Sequence, residues 1–185
     1  MSDLSAKKVR DVKIYITNLG KYVEGYLIGK WVQLPIDEDD LEKVLEAIGI
    51  DDYYEEFFIS DYETEIVSVG NSIGEYSSLV ELNTLAERLE SLCQYDTDKL
   101  EAVLEYTSCG SITELLELID ELDDFDLLPD VDDDEALGYY YADECCCIDI
   151  PDHIRSYFDF ESYGRDIRLE SNVLYTSYGC VIDNR

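Results

Sequence analysis

From residue 31 to residue 154 the chain sets thirty-seven Asp and Glu side chains against three cations, Lys43, Arg88 and Lys99, a net charge of −34 over that stretch. Carboxylates do not enter a core unpaired. Whatever forms here must leave almost all of them in water and build its interior from the residues between. Those residues recur at helical spacing: Leu79, Leu82, Leu85, Leu89 and Leu92, then Leu100, Val103 and Leu104, then Leu115, Leu116, Ile119 and Leu122. Few of the intervening acids have a Lys or Arg four residues on, so helix stability does not account for them. With 46% hydrophobic and 12% aromatic residues, the 185-residue chain is set to fold rather than to remain a solvated polyanion. Its overall charge of −32 opposes direct binding to nucleic acid or to an anionic membrane.

The flanking segments are nearly neutral and read differently. Val12 to Thr17 and Tyr26 to Leu34 predict strands, the second closed by Pro35. Asp37 or Asp39 can cap a helix whose inner face is Leu41, Val44, Leu45 and Ile48, and Gly49 stops it. Tyr54 to Ser60 and Glu65 to Val69 predict two short strands, and Ser111-Ile112-Thr113-Glu114 is a capping-box pattern. Pro129 breaks the helical series. A helix is expected from Asp132 through the face Tyr139, Tyr140, Tyr141, Cys145 and Cys146. Arg165 to Glu170 and Val173 to Ile182 alternate like a hairpin with Ser171-Asn172 at its turn. The expected fold class is α+β, elongated, with three small domains in a row. These are an N-terminal α+β domain over 1–74, a helical domain over 75–117 and a C-terminal α+β domain over 118–185. Residues 1–11, with Lys7, Lys8 and Arg10, are expected as a flexible extension.

Three chemistries are suggested by short patterns. Gly70-Asn71-Ser72-Ile73-Gly74 matches the GxSxG nucleophile elbow and His153 follows it, but the strand and helix alternation of an α/β-hydrolase is missing. Asp130 to Glu135 begins like a calcium loop, yet Glu135 stands where the loop needs Gly and Tyr141 where it needs a bidentate Glu. Six cysteines without a CxxC pair, beside the single His153, lack the spacing of a zinc site. No metal or cofactor is expected. The opening residues show no apolar signal segment and no run is long enough to span a membrane, so a cytoplasmic protein with free thiols is expected.

Ile14-Tyr15-Ile16-Thr17-Asn18-Leu19-Gly20-Lys21-Tyr22-Val23-Glu24-Gly25, then Gly29-Lys30-Trp31, Glu55-Glu56-Phe57-Phe58-Ile59-Ser60-Asp61-Tyr62-Glu63 and Tyr157-Phe158-Asp159-Phe160-Glu161-Ser162-Tyr163-Gly164-Arg165-Asp166 resemble the ArdA family of antirestriction proteins, over roughly residues 12–182. The resemblance implies a non-enzymatic protein of three domains. It would dimerise through its C-terminal domain and imitate bent B-form DNA. It would occupy the DNA groove of Type I restriction-modification enzymes, on their methyltransferase core, in the cytoplasm of a bacterial host.

On that reading the acids standing for phosphates are Asp51, Asp52, Glu55, Glu56, Asp61, Glu63, Glu65 and Glu75 in the first domain. The second domain and the start of the third add Glu81, Glu87, Glu90, Asp98, Glu101, Glu105, Glu114, Glu117, Asp120, Glu121, Asp123, Asp124 and Asp126, followed by Asp130, Asp132, Asp133, Asp134 and Glu135. Ala136, Leu137, Gly138, Tyr139, Tyr140, Tyr141, Ala142, Asp143, Glu144 and Cys145 fall where the family has its antirestriction motif, near the dimer contact. At DNA's charge spacing of about 1.7 Å, −34 corresponds to roughly 17 base pairs and a dimer to roughly 34. An acidic chaperone for basic partners is the alternative that shares the charge, and a serine hydrolase using Ser72 the one that shares the GxSxG.

Overall fold

The structure, a computed structural model, describes residues 11–145 and 147–185. The expected extension over 1–11 lies, apart from Asp11, outside the described residues, as does Cys146. The chain forms two compact α+β units. One takes the chain up to Thr97 together with Ser108–Ile119, and the other takes Asp98–Thr107 together with Asp120–Arg185.

In the first unit β1 (Val12–Asn18) is the centre of an antiparallel sheet, with β2 (Gly29–Leu34) on one side and β3 (Phe57–Thr64) on the other. Strand alternation turns Val12, Ile14 and Ile16 to the buried face, where β2 adds Val32 and Leu34. Tyr15 and Trp31 pair across the other face with ring centroids 5.3 Å apart. Helix α1 (Leu19–Val23) follows β1 directly because Asn18 caps it, its Oδ1 accepting from the Lys21 amide at 2.9 Å. The same fully buried side chain donates from Nδ2 to the carbonyls of Ile48 at 3.2 Å and Gly49 at 2.9 Å.

Those carbonyls close α2 (Glu38–Ala47), whose N-cap is Asp37, accepting from the Asp40 amide at 2.8 Å. Gly49 ends α2 in the left-handed region at φ +79°. Asn18 thus starts one helix and holds the end of another. Asn18→Ala removes a cap worth about 1 kcal/mol and leaves the buried Ile48 carbonyl and the part-buried Gly49 carbonyl without this donor. The expected cost is about 2–3 kcal/mol, read as a lower urea midpoint with an unchanged slope; a loss under 0.5 kcal/mol would show that water replaces the amide.

After α3 (Val67–Gly70), α4 (Leu79–Ser91) buries Leu82, Leu85, Ala86 and Leu89 and lies against β2. Asn83 binds both backbone groups of Ile36, accepting from its amide at 3.0 Å and donating to its carbonyl at 2.7 Å. Helix α5 (Gln94–Leu104) runs across the division between the two units, and α6 (Ile112–Asp120) buries Ile112, Leu115, Leu118 and Ile119. At its start Ser111 Oγ accepts from the Glu114 amide at 3.2 Å. The Glu114 carboxylate accepts from Gly110 at 2.7 Å, one residue before the position a capping box uses.

In the second unit β6 (Gly179–Asp183) is central, flanked by β4 (Phe125–Leu128) and β5 (Val173–Thr176), all antiparallel. Helices α7 (Asp134–Tyr139), α8 (Asp152–Arg155) and α9 (Phe160–Glu170) complete it. Val131, Leu137, Val173 and Cys180 form a core cluster on one face of this sheet, while Phe125 and Leu127 are buried on its other face. Burial pushes the Cys180 thiol up to about 11. Lys99 is buried, and its ammonium donates to the Phe125 carbonyl at 3.1 Å. Helices α7 and α9 meet backbone to backbone: a Cβ on Gly164 would stand 1.8 Å from the Asp134 carbonyl oxygen, and one on Gly138 2.0 Å from that of Phe160.

The fold class is α+β as expected, and the structure corrects five segments. The strand expected over Tyr26 to Leu34 begins at Gly29, the chain before it having turned through α1. Tyr54–Ser60 and Glu65–Val69 are not two strands. One strand, β3, bridges them over Phe57–Thr64, and Val67 begins a helical turn. Arg165–Glu170 belongs to α9, which Asp159 caps by accepting from the Ser162 amide at 3.0 Å, so the hairpin is Val173–Thr176 with Gly179–Asp183. The helix from Asp132 starts at Asp134 and widens after Tyr139 into a π turn over Tyr140–Glu144, closed by the Cys145 amide donating to the Tyr140 carbonyl at 3.1 Å.

Candidate functional site

Every acid expected to stand for a phosphate is exposed except Asp98, Glu101 and Asp134, which are half-buried. The helices explain this simply: with Leu82, Leu85 and Leu89 inward on α4, Glu81, Glu87 and Glu90 fall outward, and Leu115 with Ile119 on α6 does the same for Glu114 and Glu117. An acid at every third or fourth residue of a helix repeats at about 4.5–6 Å along its axis. One strand of DNA repeats its charge at about 3.4 Å, so such a face approaches a duplex strand in linear charge without reaching it.

Several of these carboxylates also have structural partners. Glu63 pairs with Lys13 at 3.2 Å, and Glu121 with Arg185 at 3.0 Å. Glu105 accepts from the Ser177 amide at 2.9 Å and from its hydroxyl. Glu101 accepts from the Tyr178 hydroxyl at 2.5 Å. That carboxylate, first, and then burial push the Tyr178 phenol up.

Asp134 is the most fully engaged. Arg168 grips it with Nε at 2.7 Å and Nη2 at 3.1 Å, and the Tyr175 hydroxyl donates to it at 2.8 Å. The guanidinium hydrogen bonds hold its carboxyl below the ordinary aspartate range. A depressed native pKa means that this contribution is intact above the unfolded value of about 3.9 and is lost as pH falls through the lower native value. Asp134→Asn should cost about 1–2 kcal/mol at pH 7 and leave a shallower acid limb below about pH 4. Urea unfolding from pH 7 to pH 3 tests this; an equal loss at both ends would show that the charge does not matter.

The 136–145 segment divides in two. Leu137, Gly138 and Ala142 are buried within their own unit, and Tyr140 and Tyr141 pack on the Leu137 cluster with their rings edge-on at 5.6 Å. Contact with Cys145, then burial, pushes the Tyr140 hydroxyl up to about 12. Tyr139, Asp143, Glu144 and Cys145 are exposed, and Ala136 is half-buried. Tyr139 stacks on Phe160 at 3.9 Å between centroids, and Asp143 is ion-paired with Arg155. The surface this segment offers is therefore Tyr139 together with Asp143, Glu144 and Cys145. Leu137 is a core residue, so Leu137→Glu reports on folding rather than on assembly. The partners Arg168 and Tyr175 of Asp134, 34 and 41 residues away, had no sequence signal to reveal them.

Ser72 does not sit on a strand-to-helix elbow. It follows α3, is buried, and donates its hydroxyl hydrogen to the Cys109 carbonyl at 3.2 Å. His153, the only histidine, belongs to the other unit. Cys93, Cys109, Cys145, Cys147 and Cys180 are free thiols. Among the described residues no three His, Cys, Asp or Glu side chains are placed to hold a metal ion, and no helix is long and apolar enough to cross a membrane.

No curated protein matches the chain. The family described as antirestriction protein (ArdA) matches residues 14–182, from the middle of β1 to the last residues of β6. That span takes in nearly all of both sheets and of the acidic faces and the whole 136–145 segment, and on it the chain belongs to the ArdA family of antirestriction proteins.

Proposed function

We propose that this protein inhibits Type I restriction-modification enzymes by presenting its carboxylates in place of DNA phosphates to the methyltransferase core, without catalysis. The observation that carries the reading is the placement of the acids. From Asp51 to Glu135 all but Asp98, Glu101 and Asp134 are turned outward by a regular apolar interior, with three cations between residues 31 and 154. A solubilising surface needs only dispersed charge of both signs. A surface of one sign at helical repeat fits a basic groove.

The reading further takes three domains in a row and a two-fold dimer through residues 118–185, with Tyr139, Asp143, Glu144 and Cys145 as the part of the motif available for contact. Titration of a Type I methyltransferase at several salt concentrations, with duplex DNA as competitor, tests the mechanism. Mutually exclusive binding and an affinity that falls with salt are expected, because ion pairs across the interface are screened. Simultaneous binding of DNA and protein, or an affinity flat from low to physiological salt, overturns it. An acidic chaperone would show no fixed stoichiometry in the same titration.

A further inference from the structure

Helix α1 buries none of its residues, and the turn at Tyr53 and Tyr54 stands beside it. Between them lies an open cleft of about 520 Å³. Leu19, Val23 and the two tyrosine rings supply its apolar lining, and Glu24, Glu55 and Glu56 its acidic one. Val23 is 79% and Tyr53 81% exposed, a cost in solvent-facing apolar surface that the sheet and its core do not require. The exposure is held in place: Asp51 accepts from the amides of Tyr53 at 2.8 Å and Tyr54 at 2.9 Å, and Tyr54 donates its hydroxyl to Glu24 at 2.7 Å.

We propose that this cleft seats an arginine side chain of the basic protein partner. The unit's own Lys21 already shows the chemistry. Its ammonium lies 3.9 Å from the centre of the Tyr54 ring, donates to the Tyr54 hydroxyl at 2.7 Å and reaches Glu24 at 3.4 Å. That uses Tyr54 and Glu24. The Tyr53 ring meets Tyr54 in a T-shaped arrangement at 4.7 Å between centroids and leaves most of its surface to solvent, and the Glu55 and Glu56 side chains make no hydrogen bond or ion pair to the described residues.

A flat guanidinium stacks on an aromatic face while its fork meets carboxylates, and its aliphatic stem needs apolar cover such as Leu19 and Val23 provide. Charge agrees: against Lys21 stand Glu24, Asp51, Asp52, Glu55 and Glu56, a local net charge of −4. This differs in kind from phosphate imitation, because half of the contact is apolar and insensitive to salt. That the partner is the restriction enzyme rests on the reading above; the chemistry of the cleft does not.

The probe is the neutral-ended peptide acetyl-Gly-Arg-Gly-amide, with its uncharged citrulline counterpart as control. Ring signals of Tyr53 and Tyr54 in 1H–13C spectra should shift to saturation with the arginine peptide and stay still with the citrulline one. Tyr53→Leu should weaken that binding about fivefold, the weight of one cation–π contact, and separately Glu55→Gln with Glu56→Gln should weaken it by a similar factor, the weight of one to two exposed ion pairs. Thermal melting checks that the variants remain folded. Shifts spread evenly over the acidic surface, or unchanged affinity in Tyr53→Leu, would overturn the proposal.

On a Type I methyltransferase, Tyr53→Leu should weaken binding about fivefold at every salt concentration and leave the salt slope unaltered, since no charge is removed. If the enzyme binds both forms equally, the cleft is not part of that interface and the proposal fails. If the enzyme does not bind the wild-type protein at all, the DNA-mimic mechanism fails and the peptide titration alone decides the cleft.

Discussion

Gly164→Ala is expected to lower stability by about 3 kcal/mol or more, although alanine is the better helix former by about 1 kcal/mol. The added methyl would stand 1.8 Å from the Asp134 carbonyl oxygen and 2.6 Å from the Gly138 amide nitrogen, both backbone atoms of the facing helix. Neither can rotate aside, so α7 and α9 must separate, and the Arg168 grip on Asp134 and the Tyr139 stack on Phe160 separate with them. Gly138→Ala should behave alike, its methyl meeting the Phe160 carbonyl oxygen at 2.0 Å. For a chain of this size the loss corresponds to a fall of about 6–12 °C in melting temperature. Gly74→Ala is the control: its nearest neighbour would be the Ser77 hydroxyl at 3.6 Å, an ordinary contact, and a change within about 0.5 kcal/mol is expected. Equal melting temperatures for all three variants would mean that the helix crossing is looser than drawn.

Neutralising Glu114, Glu117, Asp120, Glu121 and Asp124 together, by Gln and Asn, is expected to weaken binding to a Type I methyltransferase by about 5- to 5,000-fold. Each exposed ion pair is worth about 0.2–1 kcal/mol, so five come to about 1–5 kcal/mol, while any one alone changes affinity no more than about fivefold. The amides preserve acceptors where the fold uses them: Glu114 for the Gly110 amide and Glu121 for Arg185. Folding should not suffer, since removing like charges from a chain at −32 relieves self-repulsion. The slope of affinity against salt should also become shallower. Full loss from a single substitution would point to one dominant contact, and no loss from five would place the interface elsewhere.

Much of this molecule is legible without coordinates, and the reasons differ by element. Strand β1 and the ends of α2 follow from alternation, an Asp cap and a terminal Gly, all local signals. The outward acids follow from the inward leucines. Elements with distant determinants were not legible. Strand β4 has only four residues, between Asp124 and Pro129, and pairs with β6 more than fifty positions later, and β3 runs Ser60, Asp61, Tyr62 and Glu63 without an apolar rhythm because all four are exposed.

Helix α9 misled through local alternation in Arg165–Glu170, whereas the spacing of Phe160, Gly164 and Ile167 was helical all along. At the site, the 136–145 segment shows the same divide. The resemblance implied that the whole segment lies near the dimer contact, but Leu137 and Gly138 are spent on the core and on α9, pairings that no short window displays.

The interleaving of the two units along the chain decides how this protein can be dissected. A fragment ending at Thr97 omits α6, whose four buried side chains and whose Thr113, donating to Glu81 at 3.2 Å, belong with the residues before it. A fragment starting at Asp120 omits Lys99, Glu101 and Glu105, and with them the anchors of Phe125, Tyr178 and Ser177. Neither truncation removes a self-contained block. Loss of binding in a deletion series would therefore register collapse of what was left behind, and the epitope has to be mapped by point substitution in the full-length chain.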